Sequence, residues 1–397
     1  MKLSFFIKTL VLARMASRLL KRWQLKSQLE KADSSEADSA GADAMDSAEV
    51  NPMEPAEADL MDPVDEIQGQ VVPISVPFAN ADTNDNLEQS PTIRISFGDD
   101  NTIHTFTMDT GSVGVIASSD IFQPPVGTPS QGEGQQTYSS SGIIEKGNWY
   151  KSTITIYGEN NEPLVTTNPV PILQVNQVAC TDNARGCRAR ENPTGIAMFG
   201  MGFARQSATQ VHGTSEYNPL LNIPFAENSG LHKGYLVTSK AIILGLDDSV
   251  TQGANTIQLN PNPEYTTTTY KEWLPVPMTI SVKNGSFDYE AQGNILMDTG
   301  VNVAYLATPT AQPLVNCPNT DRPECVVGET QITVTISTEP NITSYTFSVG
   351  DPDDAMAPKE VVHVNNPNVF FNTSRHVLAG LDFYYDNTDG VVGYFTD

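Results

Sequence analysis

Positive charge is scarce in this chain. Only 22 Lys and Arg face 47 Asp and Glu, a formal charge of −25 over 397 residues. A surface that acidic repels phosphate backbones, so nucleic acid is not expected as a partner of the folded part. Histidine is also scarce. His104, His212, His232, His363 and His376 form no H-E-x-x-H and no close pair in sequence, so no metal is expected. The chain has no G-x-S-x-G, which weighs against a serine hydrolase. It has no P-loop and no dinucleotide fingerprint, so no cofactor is expected. It also lacks an uncharged apolar run long enough to cross a bilayer.

Cysteine is limited to two close pairs. Cys180 and Cys187 bracket CTDNARGC, and Cys317 and Cys325 bracket CPNTDRPEC. Neither spacing suits zinc. Two short disulfide loops are the favoured reading, with free thiols as the alternative. Bridges of this kind point to secretion or another oxidising compartment, although no clean signal peptide is present.

What is there divides into three zones. Residues 1–31 carry eight Lys and Arg and one acid, with apolar residues spaced between them. This pattern suits a basic amphipathic helix. A targeting presequence, a pro-segment, a membrane-surface contact and a misplaced start all remain open for it. Residues 32–69 are expected to be a disordered acidic linker; positions 32–66 hold twelve acids and no base. From about residue 70 the texture changes. TIRISF, STITIY, QITVTIS and EVVHV alternate with the period of half-buried strands, and the 28 Gly and 27 Pro supply turns between them. The body, about 70–397, is expected to be all-β.

Within that body one pattern occurs twice. FTMDTGSVGVIAS (106–118) places Asp109-Thr110-Gly111-Ser112 between two apolar runs, and GNILMDTGVNVAYL (293–306) does the same with Asp298-Thr299-Gly300. A Met precedes each Asp, and 298 − 109 = 189 residues separate them. The duplication carries chemical meaning. Two carboxyls pressed together cannot both ionise, so the pair holds one proton. The ionised member can activate a water while the protonated one polarises a carbonyl. Each glycine lets the chain turn tightly and its amide approach the carboxylate, and the two threonine hydroxyls can bond across the pair.

These residues resemble the pepsin-like aspartic proteases, the bilobal type with two D-T-G sites. The resemblance spans nearly all of 70–397. It implies two similar β lobes, about 70–245 and 246–397, with a cleft between them and a monomeric chain. It implies catalytic Asp109 and Asp298, supported by Thr110, Gly111, Ser112, Thr299 and Gly300. The family's apolar-apolar-Gly closing loops match Met198-Phe199-Gly200 and, in the second half, Leu378-Ala379-Gly380. TYSSSGIIEKGNWYKSTITIYG stands where the family carries its flap, with Tyr138, Ser139 and Ser140 at the substrate. The implied activity is endopeptidase hydrolysis of an extended polypeptide in acid. Some positions depart from the family. Val301 replaces a hydroxyl expected beside Asp298, Ile116 stands where a Trp pairs with the flap Tyr, and Thr194-Gly195 replaces an Asp ahead of the first closing loop. Val301 and the altered flap favour the alternative, a pepsin-fold binding or inhibitory protein with little or no turnover.

Overall fold

The computed structural model describes residues 72–84, 87–182, 184, 186–206, 210–309, 324–338 and 341–396. The basic segment 1–31, the acidic segment 32–69 and Cys317 lie outside the described residues. No helix among the described residues is long and apolar enough to cross a membrane.

Alternating sequence becomes alternating burial. In Val276–Asn284 the odd positions of the run turn inward, and Phe287–Leu296 exposes every second residue. By contrast Val113–Ser118 is buried throughout, because that strand lies in the middle of its sheet between two layers of side chains. Each buried Val, Ile or Phe contributes about 1.5–3 kcal/mol. The resulting core is continuous, and Ile93, Phe106, Met108, Phe199, Ile280, Leu306 and Phe371 have almost no exposure.

Among the described residues the strands form three sheets. A ten-stranded sheet is built from the first half of the body and a seven-stranded sheet from the second. A six-stranded sheet draws on both ends and the middle of the body, running from Ile74–Pro77 through Ala241–Leu246, His232–Val237, Leu381–Asp386 and Val391–Thr396 to Asn255–Gln258.

The two large sheets repeat one local arrangement. In the first, Asp100–Asp109 runs into the D-T-G turn and leaves as Val113–Ser118, and Ala197–Met201 lies between these two strands, parallel to one and antiparallel to the other. In the second, Phe287–Leu296 leads to the D-T-G turn and leaves as Ala304–Thr308, and Phe370–Asn372 lies between. The registers coincide. Met198 pairs with Thr107, two residues before Asp109, and with Ile116, seven after it. Asn372 pairs with Leu296, two before Asp298, and with Tyr305, seven after it.

This corrects the second closing loop. Leu378-Ala379-Gly380 lies at the end of a short 3-10 helix, Arg375–Ala379, and closes nothing around Asp298. The segment in register is Asn372-Thr373-Ser374. It has neither the apolar pair nor the glycine that marks the first loop, and Ser374 takes φ 59° where a glycine would sit without strain.

Candidate active site

The two D-T-G turns meet. Thr110 and Thr299 hold them together through a reciprocal set of bonds. The Thr110 hydroxyl donates to the Met297 carbonyl (2.5 Å) and accepts from the Thr299 amide (3.0 Å). The Thr299 hydroxyl donates to the Met108 carbonyl (3.0 Å) and accepts from the Thr110 amide (3.1 Å). Both threonines are buried, so each bond replaces water that burial removed. The hydroxyls thus reach across to backbone, and their contact with each other is the longer 3.4 Å.

The glycines act by absence of a side chain rather than by turning. Neither Gly111 nor Gly300 has φ in the left-handed region. A Cβ on Gly111 would stand 2.5 Å from the Asp298 carboxyl carbon, and one on Gly300 would stand 2.6 Å from that of Asp109. Each glycine therefore makes room for the opposite carboxyl. Its amide also donates to its own aspartate: Gly111 to Asp109 Oδ1 at 2.7 Å, Gly300 to Asp298 Oδ1 at 2.9 Å.

The other carboxylate oxygens take different donors. Ser112 Oγ donates to Asp109 Oδ2 at 2.5 Å. Val301 holds the corresponding place beside Asp298, and there the donor is Asn372 Nδ2, 2.5 Å from Asp298 Oδ2. Asn372 Oδ1 accepts from the Ser374 backbone amide at 3.0 Å, which fixes the side chain with its NH2 toward the carboxylate. Asp109 and Asp298 are both buried. Burial, and then the charge of Asp298, push the Asp109 carboxyl up to about 7, against the hydrogen bonds from Ser112 and Gly111.

Two arginines anchor the glycine carbonyls. Arg205 Nε donates to Gly111 O at 2.8 Å. Ser90 Oγ donates to Gly300 O at 3.2 Å and itself accepts from Arg375 Nη1 at 2.6 Å. Burial pushes the Arg205 guanidinium down, while the nearby charges of Asp298 and Asp109 oppose that shift.

A cleft of about 580 Å³ opens over the aspartates. Its roof is the hairpin of Glu133–Tyr138 and Ile143–Ser152, with Tyr138, Ser139, Ser140, Ser141, Ile143 and Glu145 on the lining. The Tyr305 hydroxyl, from the opposite wall, donates to the Ser140 carbonyl at 3.4 Å. Ile116 packs with Trp149 of this hairpin and with Leu173, Val178 and Ile196. The Cys180–Cys187 disulfide is present and closes a loop beside the hairpin's tip.

The sequence-predicted Asp109, Thr110, Gly111, Ser112, Asp298, Thr299 and Gly300 thus gather at one point, with Tyr138, Ser139 and Ser140 above them. Asn372, Arg205 and Glu145 escaped the sequence reading. Asn372 had a signal of another kind, since it opens the triplet Asn372-Thr-Ser, which looks like a glycosylation sequon.

No family model matches the chain, and no curated protein matches it. In structure it is similar to the crystal structure of an aspartic proteinase from Irpex lacteus, with a TM-score of 0.50 and 14% sequence identity over 82% of this chain and 97% of that one. The likeness extends to the fold, which is all-β, bilobal and pepsin-like.

Proposed function

We propose that the chain is an aspartic endopeptidase in which Asp109 and Asp298 share one proton and activate water against a peptide bond. The observation that carries this reading is the reciprocal packing of the two motifs, each glycine vacating the space that the other motif's carboxyl occupies. Such closeness makes the pair retain a proton that a lone aspartate would lose, and Asp109's rise to about 7 agrees with it. The protonated member polarises the scissile carbonyl, and the ionised member takes a proton from water.

The substrate is an extended polypeptide. It lies in the cleft and adds as a strand beneath the hairpin that carries Tyr138, whose strand Glu133–Tyr138 stands at the edge of its sheet among the described residues. Val301 argued for a protein that binds without turnover, because it removes a hydroxyl donor. Asn372 supplies a donor to the same carboxylate, and this supports the enzyme. The disulfide favours secretion or another oxidising compartment.

The test is digestion of a denatured protein in mild acid, with and without a statine-type transition-state mimic. The expected result is inhibitable cleavage that disappears in Asp109→Asn and in Asp298→Asn. A folded chain without residues 1–69 that cuts nothing across the acidic range sinks the proposal in favour of binding alone.

A further inference from the structure

Among the described residues lining the cleft, four are charged: Asp109, Asp298, Arg205 and Glu145. The first two are the proposed dyad, and Arg205 is bound to Gly111 O. Glu145 has no such assignment. It lies on Ile143–Ser152, opposite Gln136 and two residues along from Ile143, which pairs with Tyr138. The pleat therefore puts Gln136, Tyr138, Ile143 and Glu145 on one face of the hairpin.

Glu145 is only 8% exposed, and its Oε2 has no hydrogen-bond partner. Tyr138 Oη and Gln136 Nε2 on the same face are likewise buried without partners. The tyrosine hydroxyl reaches the Glu145 carboxyl and lowers its pKa as a weak hydrogen-bond donor, but it falls short of full hydrogen-bond geometry and leaves Oε2 incompletely satisfied. The charge of Arg190 reaches the carboxylate from the strand beyond, and no ion pair is formed. Burial dominates and pushes Glu145 up to about 7. In the empty cleft the Glu145 carboxyl therefore keeps its proton in mild acid, and a cation seated beside it would draw that proton off and complete the carboxylate.

We propose that Glu145 is a specificity residue of the cleft, receiving the ammonium or guanidinium of a Lys or Arg side chain of the bound peptide. This rests on the proteolytic reading above. The walls suit a long side chain with a charged end. Ile143 and Met198 line the same cleft and offer apolar surface to the methylene stem, while Glu145 takes the head. A charge-assisted bond outweighs one from a neutral donor and discriminates the more strongly because the carboxylate otherwise stays unpaired. The net charge of −25 favours the approach of a cationic peptide.

The full chain and its Glu145→Gln variant are used to digest a reduced, alkylated protein mixture at about pH 6, and the cut bonds are mapped by mass spectrometry. The expected result is enrichment of Lys and Arg at one fixed position beside the bonds cut by the unaltered chain. In E145Q the ratio of basic to uncharged residues at that position falls about tenfold, the scale of one charge-assisted bond. No basic enrichment with the unaltered chain overturns the proposal, whether or not E145Q folds; so does an enrichment that E145Q keeps. Should neither chain cut any bond, the proteolytic reading fails separately, and the subsite is read by binding. Two heptapeptide pools, differing only in a fixed Lys or a fixed norleucine, are then titrated against the unaltered chain. Tighter binding of the Lys pool supports the subsite, and equal binding of the two overturns it.

Discussion

The Asn372 amide stands 2.5 Å from Asp298 Oδ2, the distance at which the Ser112 hydroxyl meets Asp109 Oδ2. The two halves therefore reach one electrostatic result by different routes, a hydroxyl three residues after the aspartate in one and an amide on the neighbouring strand in the other. Asn372 acts through Asp298 and is a positioning residue. Replacing it with Ala leaves Asp298 one donor short, and kcat is expected to fall about tenfold or more. Adding Val301→Ser to that variant returns a hydroxyl to the place Ser112 holds in the other half and recovers part of the loss. Asn372→Asp is expected to be worse than Ala, because a third carboxyl beside the pair changes the proton it holds and shifts the pH-rate profile. Steady-state kinetics of the four proteins across pH tests this. A Val301→Ser change that rescues nothing counts against the assigned equivalence.

Gly111→Ala and Gly300→Ala test the closeness of the pair. Each methyl would collide with the opposite carboxyl, at 2.5 Å and 2.6 Å from its carbon. Overpacking of this kind costs about 1–3 kcal/mol, so the variants fold with lowered stability. Activity is lost altogether, because the carboxyls are driven apart and stop sharing a proton. An alanine variant that keeps half of its activity contradicts the geometry.

Much of this was legible in the sequence, for physical reasons that differ by residue. The two D-T-G turns stood out because glycine and threonine are each forced there, one by the opposite carboxyl and the other by the opposite backbone. The alternating strands stood out because one face of them is buried, as in Val276–Asn284. Asn372 was not legible as a partner of Asp298, being 74 residues downstream and brought near only by the parallel pairing of Phe370–Asn372 with Phe287–Leu296. No apolar-apolar-Gly stands there, and the next one along the sequence is Leu378-Ala379-Gly380, where the chain is helical. Glu145 sits in an alternating run, EKGNWYK, where a charge ordinarily faces water, and only the roof of the cleft turns it inward.

Asn372 also decides a question of modification. Its amide nitrogen is the atom a glycan would occupy, and that atom is buried against Asp298. Peptide mapping of chain from a secretory host is expected to find Asn372 unmodified. Glycan at that position would mean the Asp298 bond does not form.

Stability should fall as pH rises toward neutrality. Asp109 titrates at about 7 in the folded chain against 3.8 for the free side chain, and Glu145 at about 7 against 4.5. Between those values the folded state holds protons that the unfolded state has released. By linkage, stability then declines with rising pH, across roughly pH 4 to 7 for both groups. The loss is on the order of a few kcal/mol. Asp109→Asn removes one of the two titrations, so its stability relative to the unaltered chain improves between pH 4.5 and 7.5. Urea unfolding at the two pH values measures this, and a difference that does not change with pH contradicts it.

The disulfide is expected to govern the hairpin more than the fold. The strand Val170–Cys180 pairs along the hairpin strand Ile143–Ser152, and its final pair is Ile143 with Cys180. Just beyond, the Thr181 amide donates to Gly142 O at 2.9 Å, and a Cβ on Gly142 would stand 2.6 Å from Ala184. The loop closed by Cys180 and Cys187 thus packs on the turn that carries Ser139, Ser140 and Ser141. The loop is short and follows the end of its strand, so replacing both cysteines with Ser is expected to cost about 2 kcal/mol of global stability. The hairpin tip should lose much more of its order. Hydrogen exchange resolved to residues 137–144 should speed up well beyond the change in global unfolding, and KM should rise while kcat changes little, because the dyad's own bonds are untouched. Unaltered exchange at the tip in a variant of lowered stability would show that the bridge acts on the fold as a whole.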